Sequence, residues 1–124
     1  MLIEEAKKQG KEYGYLFVST VGGFTFTDRF IPNAFNVTPT LVYRVYVDGR
    51  PDELVRGVDL IGTPLSIFSQ VEAAGNDYGI FTGTCGAESG SVPVSTVCPT
   101  VFVKQIETQR KAKSQEKQPI LSRP

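Results

Sequence analysis

The sequence predicts a mainly antiparallel β domain of the α+β class, barrel- or sandwich-like, with an N-terminal helix and one inserted helix. Three observations favour this fold. The length of 124 residues suits a single domain. Short β-branched and aromatic runs, separated by Gly, Pro, Asn and Asp, recur between residues 15 and 106. Helical spacing of apolar residues appears in only two short segments.

The first helix is predicted over residues 2–13, where acidic residues precede lysines and so complement the helix dipole. The inserted helix is predicted to begin at Pro64, with Thr63 as its N-cap. Gly75–Asn76 is expected to end it. One face of this helix carries three apolar residues: Leu65, Phe68 and Val71.

The predicted strands cover residues 15–18, 24–27, 40–47, 53–58 and 100–106, with a further apolar run at 78–81. The Gly22–Gly23 pair is expected to break the chain between the first two strands. Asp48–Gly49 predicts a hairpin with a two-residue loop, because both positions tolerate positive φ. The segment from Gly83 to Ser91 is predicted to be a Gly/Ser-rich loop between two strands.

The composition excludes several catalytic classes. The chain has no histidine, so it holds no Ser-His-Asp or Cys-His arrangement and no imidazole metal ligand. Its two cysteines are too few for a zinc site built from cysteine alone. Any activity of the chain by itself would depend on carboxylates, hydroxyls, a thiolate or the backbone.

The charges are unevenly distributed although they sum to zero. Residues 104–124 carry six basic and two acidic residues, whereas residues 1–103 carry seven basic and eleven acidic ones. We therefore predict a β domain over residues 1–107 and a basic, disordered tail over 108–124. We do not expect nucleic acid as a partner, because no aromatic residue follows Phe102 to stack on bases.

The chain shows no secretory signal, because it begins with Met-Leu-Ile-Glu-Glu and no apolar core follows. Its apolar runs are too short to cross a bilayer, so no membrane is expected as a partner. A cytoplasmic location is predicted. In that reducing compartment, Cys85 and Cys98 are expected as free thiols or as a ligand in preference to a disulfide.

The densest unusual segment runs from Gly83 to Val94 and surrounds Cys85 with glycine and small polar residues. Three functions are compatible with it: a thiolate metal ligand, a thiolate nucleophile, or a backbone cradle for an anion. The nucleophile lacks a histidine partner, and a phosphate loop would need a Gly-Lys-Ser/Thr ending. A glycine-rich turn with an incidental cysteine is the alternative without function.

This segment resembles the C-terminal signature of the TldD/PmbA family of zinc metallopeptidases, once described as modulators of DNA gyrase. The signature reads approximately G-T-C-G-K-x-G-Q-x-x-P-V-G-x-G-x-P-T. The residues that match it are Gly83, Thr84, Cys85, Gly86, Pro93, Val94, Pro99 and Thr100, and Gly90 lies one position after the glycine of the signature. Upstream, the likeness extends to the first helix, the Gly-Gly pair, a strand ending in Asp-Gly, and Arg-Gly-Val-Asp-Leu-Ile-Gly-Thr, so that it covers most of residues 2–107.

The resemblance implies that the chain is the C-terminal part of a longer zinc peptidase. Family members carry an H-E-x-x-x-H helix upstream, whose two histidines bind zinc together with the cysteine of the G-T-C-G loop. Cys85 matches that ligand position. By the same analogy, five residues would help to line the groove for a peptide substrate: Gly22, Gly23, Gly83, Thr84 and Gly86. Ala87 stands where the family has lysine, and Ser95 and Val97 where it has glycines.

The resemblance further implies that this chain alone binds no zinc and is inactive. A missing N-terminal portion or a partner subunit would complete the site, and the parent would be a dimer. One alternative is a noncatalytic β module for peptide binding or subunit assembly, and another is a thiol-regulated domain in which Cys85 and Cys98 pair. A domain separated from its other half is expected to expose an apolar surface and to self-associate.

Overall fold

The computed structural model describes residues 1–26, 28–30, 33–87 and 89–111. Two short helices are present, α1 (Leu2–Lys8) and α2 (Pro64–Phe68). The strands are β1 (Tyr13–Phe26), β2 (Ala34–Tyr46), β3 (Glu53–Val55), β4 (Val58–Gly62), β5 (Val71–Ala74), β6 (Gly79–Ala87), β7 (Gly90–Cys98), β8 (Val101–Val103) and β9 (Glu107–Arg110). The described helices are too short and too polar to span a membrane.

The strands form one five-stranded sheet and two two-stranded ribbons. The large sheet has the order β1-β2-β4-β9, and β3 also pairs with β2. The ribbons are β5–β8 and β6–β7. Every pairing is antiparallel, which confirms the predicted mainly antiparallel α+β class with one N-terminal and one inserted helix. The path of the large sheet, as described, is open, with β1 at one end and β9 at the other.

The first helix is shorter than predicted. It ends at Lys8, and Gly10 takes a φ of 66° that turns the chain towards β1. The side chain of Leu2 lies against Gly14, where an added Cβ would stand 2.5 Å from Leu2 Cδ1. This contact places α1 over the start of β1.

The predicted break at Gly22–Gly23 is wrong, because β1 continues through both glycines. Instead of a break, the pairing of β1 with β2 shifts in register between Phe17 and Gly22. Gly22 has a φ of 152°, and a Cβ on Gly23 would collide with the backbone of Asn36 on β2. The two glycines thus permit close pairing of bulged strands, where we had expected them to end a strand.

The Asp-Gly hairpin also differs from its prediction. β2 ends at Tyr46 and β3 begins at Glu53, so the connection covers residues 47–52 instead of two residues. Gly49 has a φ of 80°, but all other described residues with positive φ are also glycines, so Asp48 does not take the φ of a type I′ turn. Asp48 accepts hydrogen bonds from the backbone and side chain of Arg50 and stabilises this wider turn.

The inserted helix begins as predicted, with Thr63 at the N-cap position and Pro64 in the first turn. It ends at Phe68, and Val71 begins strand β5. Leu65 and Phe68 remain 79% and 74% exposed. The segment predicted as a longer amphipathic helix is therefore a single turn followed by a strand.

The end of the described chain extends beyond the domain boundary predicted at residue 107. Residues Glu107–Arg110 form β9, and this strand pairs with β4 from Val58 to Ile61. Long-range pairing supplies order that local apolar periodicity did not indicate. The remainder of the predicted basic tail, residues 112–124, lies outside the described residues.

Burial is sparse. Ala6 and Val42 are the hydrophobic residues of the described chain that are buried. By contrast, many large apolar side chains are at least 37% exposed, among them Val21, Phe24 and Ile80. The expected apolar surface is therefore present, and it is distributed over both the large sheet and the β6–β7 ribbon.

The close approach at Gly23 predicts a measurable cost for a side chain there. Gly23→Ala should lower the free energy of unfolding by about 1–3 kcal/mol, because the new Cβ displaces the Asn36 backbone. Urea denaturation measures this change. Gly79→Ala is the matched control, since its Cβ would lie 3.7 Å from the nearest atom, Cys98 O. An equal effect of the two substitutions would contradict the packing argument.

Candidate functional site

The candidate site lies on the β6–β7 ribbon, residues 79–98, which is called the arm below. The predicted Gly/Ser-rich loop does not exist as a loop: Gly83–Ala87 belongs to β6, and Gly90 already begins β7. Cys85 pairs with Val92 and Gly83 with Val94. Among the described strands, β6 and β7 pair only with each other.

Both strands of the arm are exposed over nearly their whole length. Gly83 and Val94 are half-buried, and the other described residues of β6 and β7 are exposed. Four of the apolar side chains are 58–73% exposed: Ile80, Phe81, Val92 and Val97. A two-stranded ribbon with uncovered faces is marginally stable in water. The arm therefore leaves apolar side chains uncovered on its faces in the described structure.

Cys85 is a free, exposed thiol near the tip of the arm. Because side chains alternate between faces of a strand, Phe81, Gly83 and Cys85 share one face of β6. The ring of Phe81 lies over Gly83, since a Cβ there would stand 2.7 Å from Phe81 Cζ. Glycine at this position gives the ring a flat backbone to cover, and the thiol follows on the same face.

Pro93 determines which backbone groups of the arm face outwards. It sits within β7 opposite Thr84, and it has no N–H to donate to β6. Thr84 and Pro93 must therefore form a non-hydrogen-bonded pair. By alternation, the N–H and C=O groups of Thr82, Thr84 and Gly86 point away from β7, towards the open edge of β6. The corresponding edge of β7 lacks a donor at Pro93.

The base of the arm is closed by Asp77 and Thr100. The carboxylate of Asp77 accepts hydrogen bonds from the backbone N–H of Thr100, at 3.2 Å, and from its hydroxyl. Gly75 N–H donates to Thr100 O at 2.8 Å. The hydroxyl bond from Thr100, followed by backbone N–H groups, lowers the pKa of Asp77. These contacts fix where the chain enters β6 and leaves β7.

Sequence reasoning did not assign Asp77 any role, although it follows the Gly75–Asn76 pair that was expected to end the inserted helix, and Thr100 belonged to the resemblance. An Asp that follows a turn can accept from backbone N–H groups, but its partner is 23 residues away in sequence. Only the return of β7 brings Thr100 beside it.

The thiol-regulated alternative is contradicted by the structure. Cys98 pairs with Gly79 at the base of the arm, whereas Cys85 lies near its tip. Six residue steps along β6 separate the two positions, or about 20 Å. A disulfide requires Cα atoms within about 7 Å. The Cys98 thiol instead lies 3.2 Å from Pro99 O.

The residues of the predicted groove fall into two groups. Gly83, Thr84 and Gly86 lie on β6 around Cys85, while Gly22 and Gly23 lie on β1 in the five-stranded sheet. No strand pairing in the described part of the chain joins these two sheets. A groove shared by both groups stays a prediction.

The described residues do not hold a complete metal centre, since they contain no group of three or more potential metal-ligating side chains. The chemistry of Cys85 does fit a metal, because the sulfur of an exposed cysteine is a good ligand for zinc. Carboxylates could also serve as metal ligands, but Asp48 is engaged by Arg50, and Glu88, three residues after Cys85, lies outside the described residues.

A comparison with protein families identifies the family of the chain. The family model described as the PmbA/TldA metallopeptidase C-terminal domain matches residues 4–110. The chain belongs to this family. It is therefore a metallopeptidase C-terminal domain, and the suspected TldD/PmbA resemblance is confirmed. A search of curated proteins found no match to the chain.

The contact between Asp77 and Thr100 predicts a specific pH dependence. Because folding lowers the pKa of Asp77, its stabilising contribution is complete above the pKa of an aspartate in the unfolded chain, about 3.9, and is lost as pH falls through the folded value. Asp77→Asn should therefore lower the melting temperature clearly at pH 6 and much less at pH 2.5.

Asp59→Asn is the control for loss of one carboxylate from a strand of the large sheet. Melting curves of all three proteins across this pH range measure the effect. A difference between wild type and Asp77→Asn that stays constant with pH would contradict the assignment.

Proposed function

We propose that the chain is the C-terminal portion of a zinc-dependent peptidase that cleaves peptides or unfolded protein segments. In this proposal, Cys85 supplies one metal ligand, and the remaining ligands come from a preceding portion of the polypeptide or from a partner subunit. The observation that carries the proposal is the placement of an exposed thiol near the tip of an uncovered arm, in a domain of a metallopeptidase family.

The thiol has the position that a shared metal site needs. It projects from a ribbon whose faces are exposed, so a second surface can approach it without unfolding the domain. Zinc held by three protein ligands supplies Lewis-acid polarisation of a carbonyl and activation of water. In this proposal, the residues of this chain bind and orient, and the groups that transfer protons belong to the portion that supplies the remaining ligands.

The open edge of β6 supports the proposed binding of a peptide or unfolded segment as substrate. The outward backbone groups of Thr82, Thr84 and Gly86 match the hydrogen-bonding pattern of an added strand. An extended peptide at this edge would lie about 4.8 Å from β6, alongside Cys85.

Recognition of this kind uses the main chain of the substrate. It favours unfolded segments over folded ones, because a folded protein has already paired its backbone groups. A noncatalytic peptide-binding or assembly module would use the same edge, so the metal distinguishes the two functions.

Zinc content of the complete protein that carries this chain tests the ligand assignment. Cys85→Ala should weaken zinc binding by on the order of 100-fold or more, because it removes one of three ligands. Loss of a residue that only hydrogen-bonds to a ligand already costs about 10–100-fold in metal affinity. Peptidase activity should fall in parallel. Metal analysis after dialysis against a weak chelator measures the loss.

Cys98→Ala is the matched control, because Cys98 is also a free and exposed thiol on the same ribbon. It should leave zinc content unchanged. Full zinc occupancy in Cys85→Ala, or absence of zinc and peptidase activity in the complete wild-type protein, would sink the proposal in favour of the noncatalytic module.

The β6 edge gives a separate prediction. Thr84→Pro removes an outward N–H without removing a hydrogen bond between β6 and β7, so KM for an unfolded peptide should rise at least about 10-fold while zinc is retained. Ser95→Pro makes the same change on the outer edge of β7, where it faces away from β6, and KM should stay unchanged. Equal KM values in the two variants would contradict strand addition at β6.

A further inference from the structure

A cavity of about 280 Å³ lies between the end of β4, helix α2 and the start of β9. Its apolar lining comes from three half-buried isoleucines: Ile61, Ile67 and Ile106. No residue of the arm is among those that line it. Cavities of about 300–1,000 Å³ hold drug-sized ligands, so this cavity has room for a ligand of about one or two amino-acid residues.

Backbone contacts hold the walls of this cavity in place. The N–H of Lys104 donates to Gln70 O at 2.9 Å, which ties the chain that leads into β9 to the chain that follows α2. On the β4 side, Gly62 has a φ of 143°, and an added Cβ would lie 3.6 Å from Ile67 Cδ1. The bare backbone of Gly62 thus lets Ile67 approach β4. The cavity is therefore part of the fold.

Hydroxyl and amide side chains also line the cavity. Thr63 stands at the N-cap position of α2 but makes no side-chain cap hydrogen bond. Ser66 accepts a hydrogen bond from Ser69 through its carbonyl oxygen, which does not use its hydroxyl. Gln70 is bonded to Lys104 through its backbone, and the side chains of Gln70 and Gln105 both line the cavity. These groups can donate to and accept from a peptide group.

Glu107 is the charged residue of the cavity lining. It pairs with Ile61 across β4 and β9, so its carboxylate lies beside an aliphatic side chain on the same face of the sheet. Lys104 forms ion pairs with Glu72, at 3.4 Å, and Glu5, at 3.9 Å, and none of the ion pairs among the described residues includes Glu107. A carboxylate beside an aliphatic surface favours a ligand that joins an ammonium group to an aliphatic body.

We propose that this cavity binds the N-terminal residue of a peptide that begins with an aliphatic amino acid such as leucine. Glu107 binds the α-ammonium group, the isoleucines contact the aliphatic side chain, and Ser66 and Gln70 hydrogen-bond to the first peptide group. A free amino acid is disfavoured, because it brings a second carboxylate into a lining that contains no cation. The cavity is separate from the arm, so the proposal does not depend on a metal at Cys85.

Titration of the 124-residue chain with L-leucinamide, followed by ligand-observed NMR, tests the proposal. The dissociation constant should be on the order of 1–10 mM, as expected for so small a ligand. Isocaproamide has the same amide and aliphatic chain without the amino group, and it should bind at least about 10-fold more weakly. L-leucine should also bind more weakly. Equal affinity for leucinamide and isocaproamide, or no binding of leucinamide at about 50 mM, would overturn the proposal.

Two variants locate the binding in this cavity. Glu107→Gln should weaken leucinamide binding at least about 10-fold, whereas Glu12→Gln, which removes an exposed carboxylate outside the cavity, should not change it. Ser66→Leu should abolish binding by filling the cavity. Ser69→Leu is its matched control, because Ser69 is also exposed but does not line the cavity. Wild-type affinity in either Glu107→Gln or Ser66→Leu would show that the ligand binds elsewhere.

Discussion

The main-chain pairing between β6 and β7 is the interaction on which the candidate site depends. Neither strand pairs with any other described strand, so the position of Cys85 follows from this one ladder and from its base. At the base, Asp77, just before β6, accepts hydrogen bonds from Thr100, just after β7. Near the tip, nothing but the opposing strand holds the backbone in the described structure. The arm can therefore present its thiol to another surface without disturbing the large sheet.

The domain as a whole also buries few of its described residues. A fold whose buried apolar residues, among those described, are Ala6 and Val42 gains little from its own core. Its stability comes largely from extended backbone pairing, above all between β1 and β2, and from contacts such as Leu2 on Gly14. Its exposed apolar side chains lie both on the arm and along β1.

The sequence predicted well where the signal was local. The Thr63–Pro64 start of α2 needs only a cap residue and a preset φ, and it lies where expected. The resemblance identified the family because it rested on the order of dispersed features instead of on a single motif. Cys85 was singled out by its glycine-rich surroundings, and its role as a metal ligand stays a prediction.

The errors all concern glycine and long-range pairing. Gly83 indicated a loop, but the ring of Phe81 covers it and the strand continues. Gly22 and Gly23 indicated a break, but they allow β1 to approach β2 closely. β9 has no apolar periodicity of its own and is ordered through β4. The sequence did not indicate the partner of Asp77 or the outward-facing backbone groups of β6 opposite Pro93. Both depend on a strand register that only the fold defines.

The coordination of the metal in the complete protein tests the central claim most directly. X-ray absorption at the zinc edge should show one sulfur neighbour at about 2.3 Å, in addition to nitrogen or oxygen neighbours at about 2.0–2.1 Å. The sulfur signal should disappear in Cys85→Ser and persist in Cys98→Ser. A wild-type spectrum fitted by nitrogen and oxygen alone would contradict the claim that the arm delivers a metal ligand.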